Sequence, residues 1–144
     1  MSSSVPRKLL VLVNRGMSSH AINQAVETAD ALLKERLGVE VQLVDSAFWH
    51  KEHFGRCGDW SSWVWETVTG RDYDTREHHF SGFIVCEEEL GKANAQLVEL
   101  ALRNGRSVLF ARKNRPLSTV KEVKVADETN WQRGWTAILE GEIQ

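Results

Sequence analysis

A strand–helix–strand pattern in residues 8–45 constrains the fold most strongly. Lys8-Leu-Leu-Val-Leu-Val-Asn14 is a nearly continuous apolar run, which is typical of a strand covered on both faces. Apolar residues then recur at spacings of three and four between a capping serine at 18 or 19 and a glycine stop at 38, which predicts a helix. Apolar and polar residues alternate over residues 39–45, which predicts a second strand. A crossover this short requires the two strands to pair in parallel.

Residues 82–111 repeat the pattern. Gly82-Phe-Ile-Val-Cys86 and Ser107-Val-Leu-Phe-Ala111 predict buried strands, and Asn104-Gly105 ends the helix between them. We expect the apolar face of that helix to comprise Ala93, Leu97, Leu100 and Ala101, with Leu102 at its margin. Two such units predict one α/β domain over residues 1–144, with a doubly wound, three-layer, Rossmann-like or flavodoxin-like architecture and a mostly parallel sheet.

Residues 46–79 form an insertion between these units. They hold four of the six Trp and four of the five His, without a clean period. A short helix fits residues 60–67, and we expect the rest to be a functional loop or lid over the ligand edge. Residues 119–125 alternate enough between apolar and polar side chains for an edge strand. Trp131, Trp135 and Leu139 fit one face of a helix, but residues 136–140 fit a strand equally well.

The composition is that of an ordinary globular protein, with 42% apolar and 26% charged residues. No apolar stretch is long enough for a membrane helix, and Met1-Ser-Ser-Ser-Val-Pro lacks the core of a secretory signal, so we expect a cytoplasmic protein. Only Cys57 and Cys86 are present, and both are expected to be free thiols. The net charge of −2 makes a nucleic-acid binder the least favoured class.

Ligands of open α/β sheets bind outside the carboxyl ends of the strands, and three predicted loops follow such ends. The first is Asn14-Arg-Gly-Met-Ser-Ser19. Its Arg15 adds positive charge to a helix start, Gly16 allows close approach to the backbone, and Asn14 and Ser18 offer polar groups. An anion site or a simple capped turn both fit this segment.

The second and third loops are residues 87–92 and 112–115. Glu87 lies in the second, and Arg112 and Arg115 lie in the third. The arginines suit a phosphate or a carboxylate, although a solvated basic turn also fits. Together with Arg15 they would form two anion sites, which favours a nucleotide or a phosphorylated sugar as ligand.

Glu99-Leu-Ala-Leu-Arg-Asn-Gly-Arg-Ser-Val108 resembles the Glu-x-x-x-Ala-x-x-x-Gly-Lys-Pro-Val run of the nucleoside 2-deoxyribosyltransferase-like family. Asn94-Ala95 stands where that family has Gly-Thr. In those enzymes the helix glutamate attacks the anomeric carbon of the sugar, so the resemblance implies Glu99 as nucleophile in a nucleoside transferase or hydrolase.

A paired carboxylate site is a related hypothesis, since Glu87, Glu88 or Glu89 of the second loop could face Glu99 or Asp72, and we name Glu89 with Glu99 as the catalytic pair. One carboxyl with a raised pKa would supply an acid, and its ionised partner would act as base or nucleophile. The alternative is that the acids of residues 87–89 simply stabilise a helix start.

Trp60-Ser-Ser-Trp63-Val-Trp65 could stack on a bound base through Trp63, or form a satellite core or the interface of a homo-oligomer. His50-x-x-His53-x-x-x-Cys57 has metal-like spacing, but we expect surface or hydrogen-bonded histidines and neither metal nor cofactor.

These patterns predict a domain that binds a nucleotide- or nucleoside-related small molecule, and the resemblance adds an N-glycosidic reaction. Whether the domain is an enzyme stays open. The alternative is a non-catalytic module that binds a ligand, or a protein partner through its Trp-rich surface.

Overall fold

A computed structural model describes residues 7–14, 16–38, 41–57, 59–70, 80–125 and 134–142. This part of the chain folds as an α/β protein with helices against one seven-stranded sheet. The helices are α1 (Ser19–Leu37), α2 (Ser46–Cys57), α3 (Trp60–Thr69) and α4 (Lys92–Arg103). The strands are β1 (Arg7–Leu12), β2 (Val41–Asp45), β3 (Gly82–Val85), β4 (Glu89–Leu90), β5 (Ser107–Phe110), β6 (Ser118–Val125) and β7 (Trp135–Glu142).

The sheet has a parallel half and an antiparallel half. Its strand order is β2-β1-β3-β5-β6-β7-β4, and the pairs among the first four strands are parallel. The pairs β5–β6, β6–β7 and β7–β4 are antiparallel. The two predicted crossover units are therefore confirmed, and the expectation of a mostly parallel sheet holds at one end of it.

The strand predicted over residues 119–125 exists as β6, but its expected position at the sheet edge is wrong. β6 lies between β5 and β7, with Val120 opposite Leu139 and Val125 opposite Trp135. Residues 135–142 adopt the strand rather than the helix. This pairing depends on contacts distant in sequence, and local periodicity could not choose between the two.

α1 begins and ends as its sequence predicts. The Ser18 hydroxyl accepts a hydrogen bond from the Ala21 N–H at 3.1 Å. Gly38 has a φ of 61° and donates its N–H to the Lys34 carbonyl, as glycine does when it closes a helix in the left-handed region. Both ends of the first crossover helix are thus determined by local hydrogen bonds.

Helices cover both faces of the parallel half of the sheet. Successive side chains of β1 point to opposite faces, and those on each face are buried under helices. Leu9 and Val11 pack in one cluster with Ala29 and Leu33 of α1. Leu10 and Leu12 pack in a second cluster with side chains of the other three helices, among them Trp49, Trp63 and Leu97. None of the helices in the described ranges combines the length and apolarity that a membrane span requires.

The expected loop or lid over residues 46–79 is wrong for the part that the structure describes. Residues 46–57 and 60–69 form α2 and α3, which confirms the short helix predicted over residues 60–67. Side chains start both helices: Asp45 accepts from the Phe48 N–H and Asp59 from the Ser62 N–H, each at 2.8 Å. Residues 71–79 lie outside the described residues.

The buried face of α4 is rotated from the predicted one. Leu97 and Ala101 are buried as expected, whereas Ala93 is exposed and Leu100 is half-buried. Ala95 and Val98 complete the buried face. The rotation follows from two neighbours, because α4 contacts α3 as well as the sheet.

Two buried tryptophans differ in one hydrogen bond, and this difference predicts different costs of substitution. Trp49 donates its indole N–H to the Thr67 hydroxyl at 3.0 Å, whereas the indole N–H of Trp63 has no partner among the described residues. We expect Trp49→Phe to lower the free energy of unfolding by about 1 kcal/mol more than Trp63→Phe does. Urea denaturation of both variants measures this difference, and equal losses would contradict it.

Candidate functional site

The carboxyl ends of β2, β1, β3 and β5 lie at one edge of the sheet, because these strands are parallel. From β1 the chain moves through α1 to β2 on one side, and from β3 it moves through α4 to β5 on the other. The direction of winding therefore reverses between β1 and β3, which is where open α/β sheets bind ligands. We call this edge the carboxyl edge.

Side chains at the starts of two helices fix the chain where it leaves β1. The Val13 N–H donates to the Ser46 hydroxyl at 2.9 Å, and the Val13 carbonyl accepts from the Asn94 amide at 3.0 Å. Ser46 begins α2, and Asn94 lies in the first turn of α4. Both backbone polar groups of Val13 are thereby hydrogen-bonded, and the chain at the end of β1 is tied to α2 and α4.

The first predicted loop lies at this edge. Asn14 is half-buried, Gly16 is exposed with a φ of 88°, and Ser18 caps α1. A φ in the left-handed region favours glycine at position 16. Arg15 lies outside the described residues. The structure therefore places Asn14, Gly16 and Ser18 together at the carboxyl edge, next to the start of α1.

The second and third loops are joined by two ion pairs. Nη1 of Arg112 lies 3.2 Å from Oε2 of Glu87, and Nη2 of Arg115 lies 2.6 Å from Oε1 of Glu88. The Arg115 guanidinium also lies 5.3 Å from the centroid of the Phe110 ring. The predicted cations are thus present at the carboxyl edge, but each is already paired with a carboxylate from the turn after β3.

A shallow hollow of about 250 Å³ lies at the same edge, where β2 ends. The first two turns of α1 and of α2 form its walls. Its lining comprises Ser19, Ile22, Asn23, Asp45, Ala47, Phe48 and Lys51. Phe48 is 56% exposed, and Lys51 is also exposed, so an aromatic ring and an ammonium group both face the hollow. We call this the α1–α2 hollow.

Sequence reasoning missed Phe48 and Lys51 because it treated residues 46–59 as irregular. Asp45 followed by a helical segment is a capping signal that could have placed α2. With α2 in place, the buried Trp49 and half-buried His53 define one face, at a spacing of four. Phe48 and Lys51, three residues apart, then fall on a different, exposed face.

Glu89 and Glu99, the two proposed catalytic carboxylates, lie on different elements. Glu89 is exposed in β4, opposite Thr136 of β7. Glu99 lies about 10 Å along α4 from its start, at about 1.5 Å per residue. Its carboxylate pairs with Arg103 one turn later.

Glu99 also lines a second hollow, of about 280 Å³, between α3 and α4. This α3–α4 hollow is lined by Trp60, Ser61 and Val64 of α3 and by Gln96, Glu99, Leu100 and Arg103 of α4.

The prediction that Trp63 binds ligand is wrong, because its side chain is 2% exposed. Its ring packs against Trp60, with centroids 4.9 Å apart, and against His50 at 5.1 Å. Burial of so large an aromatic surface stabilises the core and leaves no ring face open for a ligand.

The histidines of α2 belong to the same aromatic packing. His50 contacts the Phe54 ring, with centroids 4.5 Å apart, and His53 contacts the Trp49 ring at 3.7 Å. The side chain of Cys57 is outside the described part of the chain. Among the side chains that are described, no group of His, Cys, Asp and Glu is arranged to hold a metal ion.

Comparison of the chain with protein-family models, with curated proteins and with solved structures finds no match. The function is therefore inferred from the residues of the carboxyl edge and of the two hollows.

Cys86 follows β3 at the carboxyl edge as a buried free thiol. Burial raises its pKa to about 12, and the negative charge of Glu87 adds to the effect. The reactive thiolate is therefore almost absent at pH 8 in the folded protein. In a Cys57→Ser background, we expect iodoacetamide to label Cys86 only when denaturant unfolds the chain. Rapid labelling of the folded variant at pH 8 would contradict this assignment.

Proposed function

We propose that this domain binds a nucleotide-type small molecule at the carboxyl edge. The observation that carries the proposal is the α1–α2 hollow, where an exposed aromatic ring and an ammonium group lie beside the start of a helix. We further propose that the fold belongs to the doubly wound, flavodoxin-like group of Rossmann-like sheets. The order β2-β1-β3-β5, with helices on both faces, supports this assignment.

Phe48 is the group suited to an aromatic base. Its exposed ring offers a stacking surface, and stacking of a base on an aromatic side chain contributes about 1–3 kcal/mol. Ile22 of α1 also lines the hollow and adds apolar surface. An apolar ligand without a ring would use less of this surface, so the hollow favours a planar group.

Lys51 and the start of α1 are the groups suited to a phosphate. The N-terminus of a helix carries partial positive charge and attracts anions, and Lys51 adds a full charge. Asp45 is the one acid of the hollow, and its carboxylate accepts the Phe48 N–H. Gly16 extends the positive start of α1 with a position where no Cβ limits approach.

The N-glycosidic reaction implied by the family resemblance would have to use the α3–α4 hollow, because Glu99 lies there with Trp60. Glu99 is the one acid in the lining of that hollow, and Glu89, its expected partner carboxylate, lies in β4. Ligand binding at the carboxyl edge, without that reaction, is therefore the function we favour.

The alternative of a protein-binding Trp-rich surface has less support. Trp49 and Trp63 are buried in the core, and Trp65, at 42% exposure, is the remaining exposed tryptophan of α2 and α3. One exposed ring is a common feature of protein surfaces and does not by itself define an interface.

The proposal predicts that Phe48→Ala weakens nucleotide binding about fivefold or more, because stacking is lost. Lys51→Gln should weaken binding of the nucleotide but not of the uncharged nucleoside. Calorimetric titration with the monophosphates of adenosine, guanosine, cytidine and uridine measures these affinities. Trp65→Ala and Lys121→Gln are the matched controls, since they remove an exposed ring and an exposed lysine outside the hollow.

Glu99→Gln separates the two hollows in the same titration. If the ligand binds at the carboxyl edge, this variant retains the wild-type affinity. Loss of binding in Glu99→Gln together with an unaffected Phe48→Ala would move the site to the α3–α4 hollow. Loss of binding of a protein partner in Trp65→Ala, with no nucleotide binding by the wild type, would support the interaction module instead.

A further inference from the structure

The carboxyl edge has positive charge at two separate places. Lys51 and the start of α1 lie beside β2, whereas Arg112 and Arg115 follow β5. β2 and β5 are separated by β1 and β3, which is three strand spacings. At about 4.8 Å per spacing, the ends of β2 and β5 are about 14 Å apart. A single phosphate next to a base stacked on Phe48 lies at the β2 end of this distance, whereas a chain of two or more phosphates extends toward the arginines.

The two arginines are held in one turn and face the same neighbouring loop. The Arg115 N–H donates to the Arg112 carbonyl at 3.1 Å, and Asn114 adopts a φ of 64° between them. Their partners, Glu87 and Glu88, are consecutive residues after β3. The turn after β5 thus presents two guanidinium groups together, and the turn after β3 supplies a carboxylate to each.

These ion pairs are weak enough for a ligand to replace. The four side chains are 40–49% exposed, and exposed pairs of this kind contribute a factor of about 1.5 to 5 in an equilibrium constant. A phosphate group forms bidentate, charge-assisted hydrogen bonds with arginine, and it carries more negative charge than a carboxylate. A terminal phosphate can therefore displace Glu87 and Glu88 from the arginines.

We infer that the ligand is a nucleoside polyphosphate that spans the carboxyl edge, with its terminal phosphate on Arg112 and Arg115 in place of Glu87 and Glu88. This inference rests on the proposed function, because it requires the base to bind at Phe48. Glu87 and Glu88 then act as internal competitors. They neutralise the arginines in the free protein and reduce binding of ligands that reach only this end of the edge.

The test is calorimetric titration with the mono- and diphosphates of the four ribonucleosides. In the wild type we expect the diphosphate of the preferred base to bind about tenfold more tightly than its monophosphate, because of the added hydrogen bonds to charged groups. Arg112→Gln/Arg115→Gln should remove this difference and leave the affinity for the monophosphate unchanged.

Glu87→Gln and Glu88→Gln should each tighten binding of the diphosphate by about 1.5- to 5-fold, since each frees one arginine. Glu89→Gln is the matched control. It removes an acid from the same segment, and Glu89 makes no ion pair within the described residues. We expect Glu89→Gln to leave the ratio of the two affinities unchanged.

Two results would overturn the inference. The first is equal affinity of the wild type for mono- and diphosphates, with Glu87→Gln and Glu88→Gln behaving as Glu89→Gln does. This result would rule out a polyphosphate ligand and leave the proposed function intact. Absence of binding of every nucleotide to every folded variant would remove both. Thermal denaturation of each variant shows that it is folded.

Discussion

The two-sided burial of β1 is the constraint on which the other elements depend. Leu10 and Val11 are fully buried on opposite faces of the strand, so each face must be covered by a separate set of helices. α1 covers one face, and α2, α3 and α4 cover the other. This arrangement places the starts of α1, α2 and α4 at the carboxyl edge, because each of these helices follows a segment leaving that edge.

The same burial explains why the carboxyl edge is hydrogen-bonded to the helices. Val13 continues the buried run of β1, so its peptide groups cannot be hydrated and must be hydrogen-bonded within the protein. Ser46 and Asn94 supply those bonds from α2 and α4. α2, which presents Phe48, and α4, which lies between Glu87 and Arg112 in the sequence, are therefore tied to one point of the sheet.

The sequence-based prediction succeeded where signals are local. The apolar run of β1, the caps of α1 and the short crossovers determine the parallel half without knowledge of distant contacts. It failed where distant contacts decide. β7 is a strand because it pairs with β6 and β4, and Glu89 is in a strand because it lies opposite Thr136. The sequence did not predict α2, because its inner face combines Trp49 with His53. A histidine interrupts the spacing of apolar residues by which a buried helix face is recognised.

The candidate site shows the same division. Asn14, Gly16 and Ser18 could be placed from the loop after the first strand. The pairing of Arg112 and Arg115 with Glu87 and Glu88 joins two loops, so the sequence showed the charges but not their neutralisation. Tryptophan is common both at interfaces and in cores, so the sequence could not assign Trp63 to either. Its burial in the structure places it in the core. Phe48 became a candidate only when α2 fixed its direction.

We propose that the ligand binds at the carboxyl edge rather than between α3 and α4. Backbone amide chemical shifts during titration with a nucleoside diphosphate test it most directly, because every loop of the edge carries its own probe. We expect shifts in residues 16–23, 45–51, 86–89 and 111–115, with residues 60–64 and 96–103 unchanged. Shifts confined to residues 60–64 and 96–103 would contradict it.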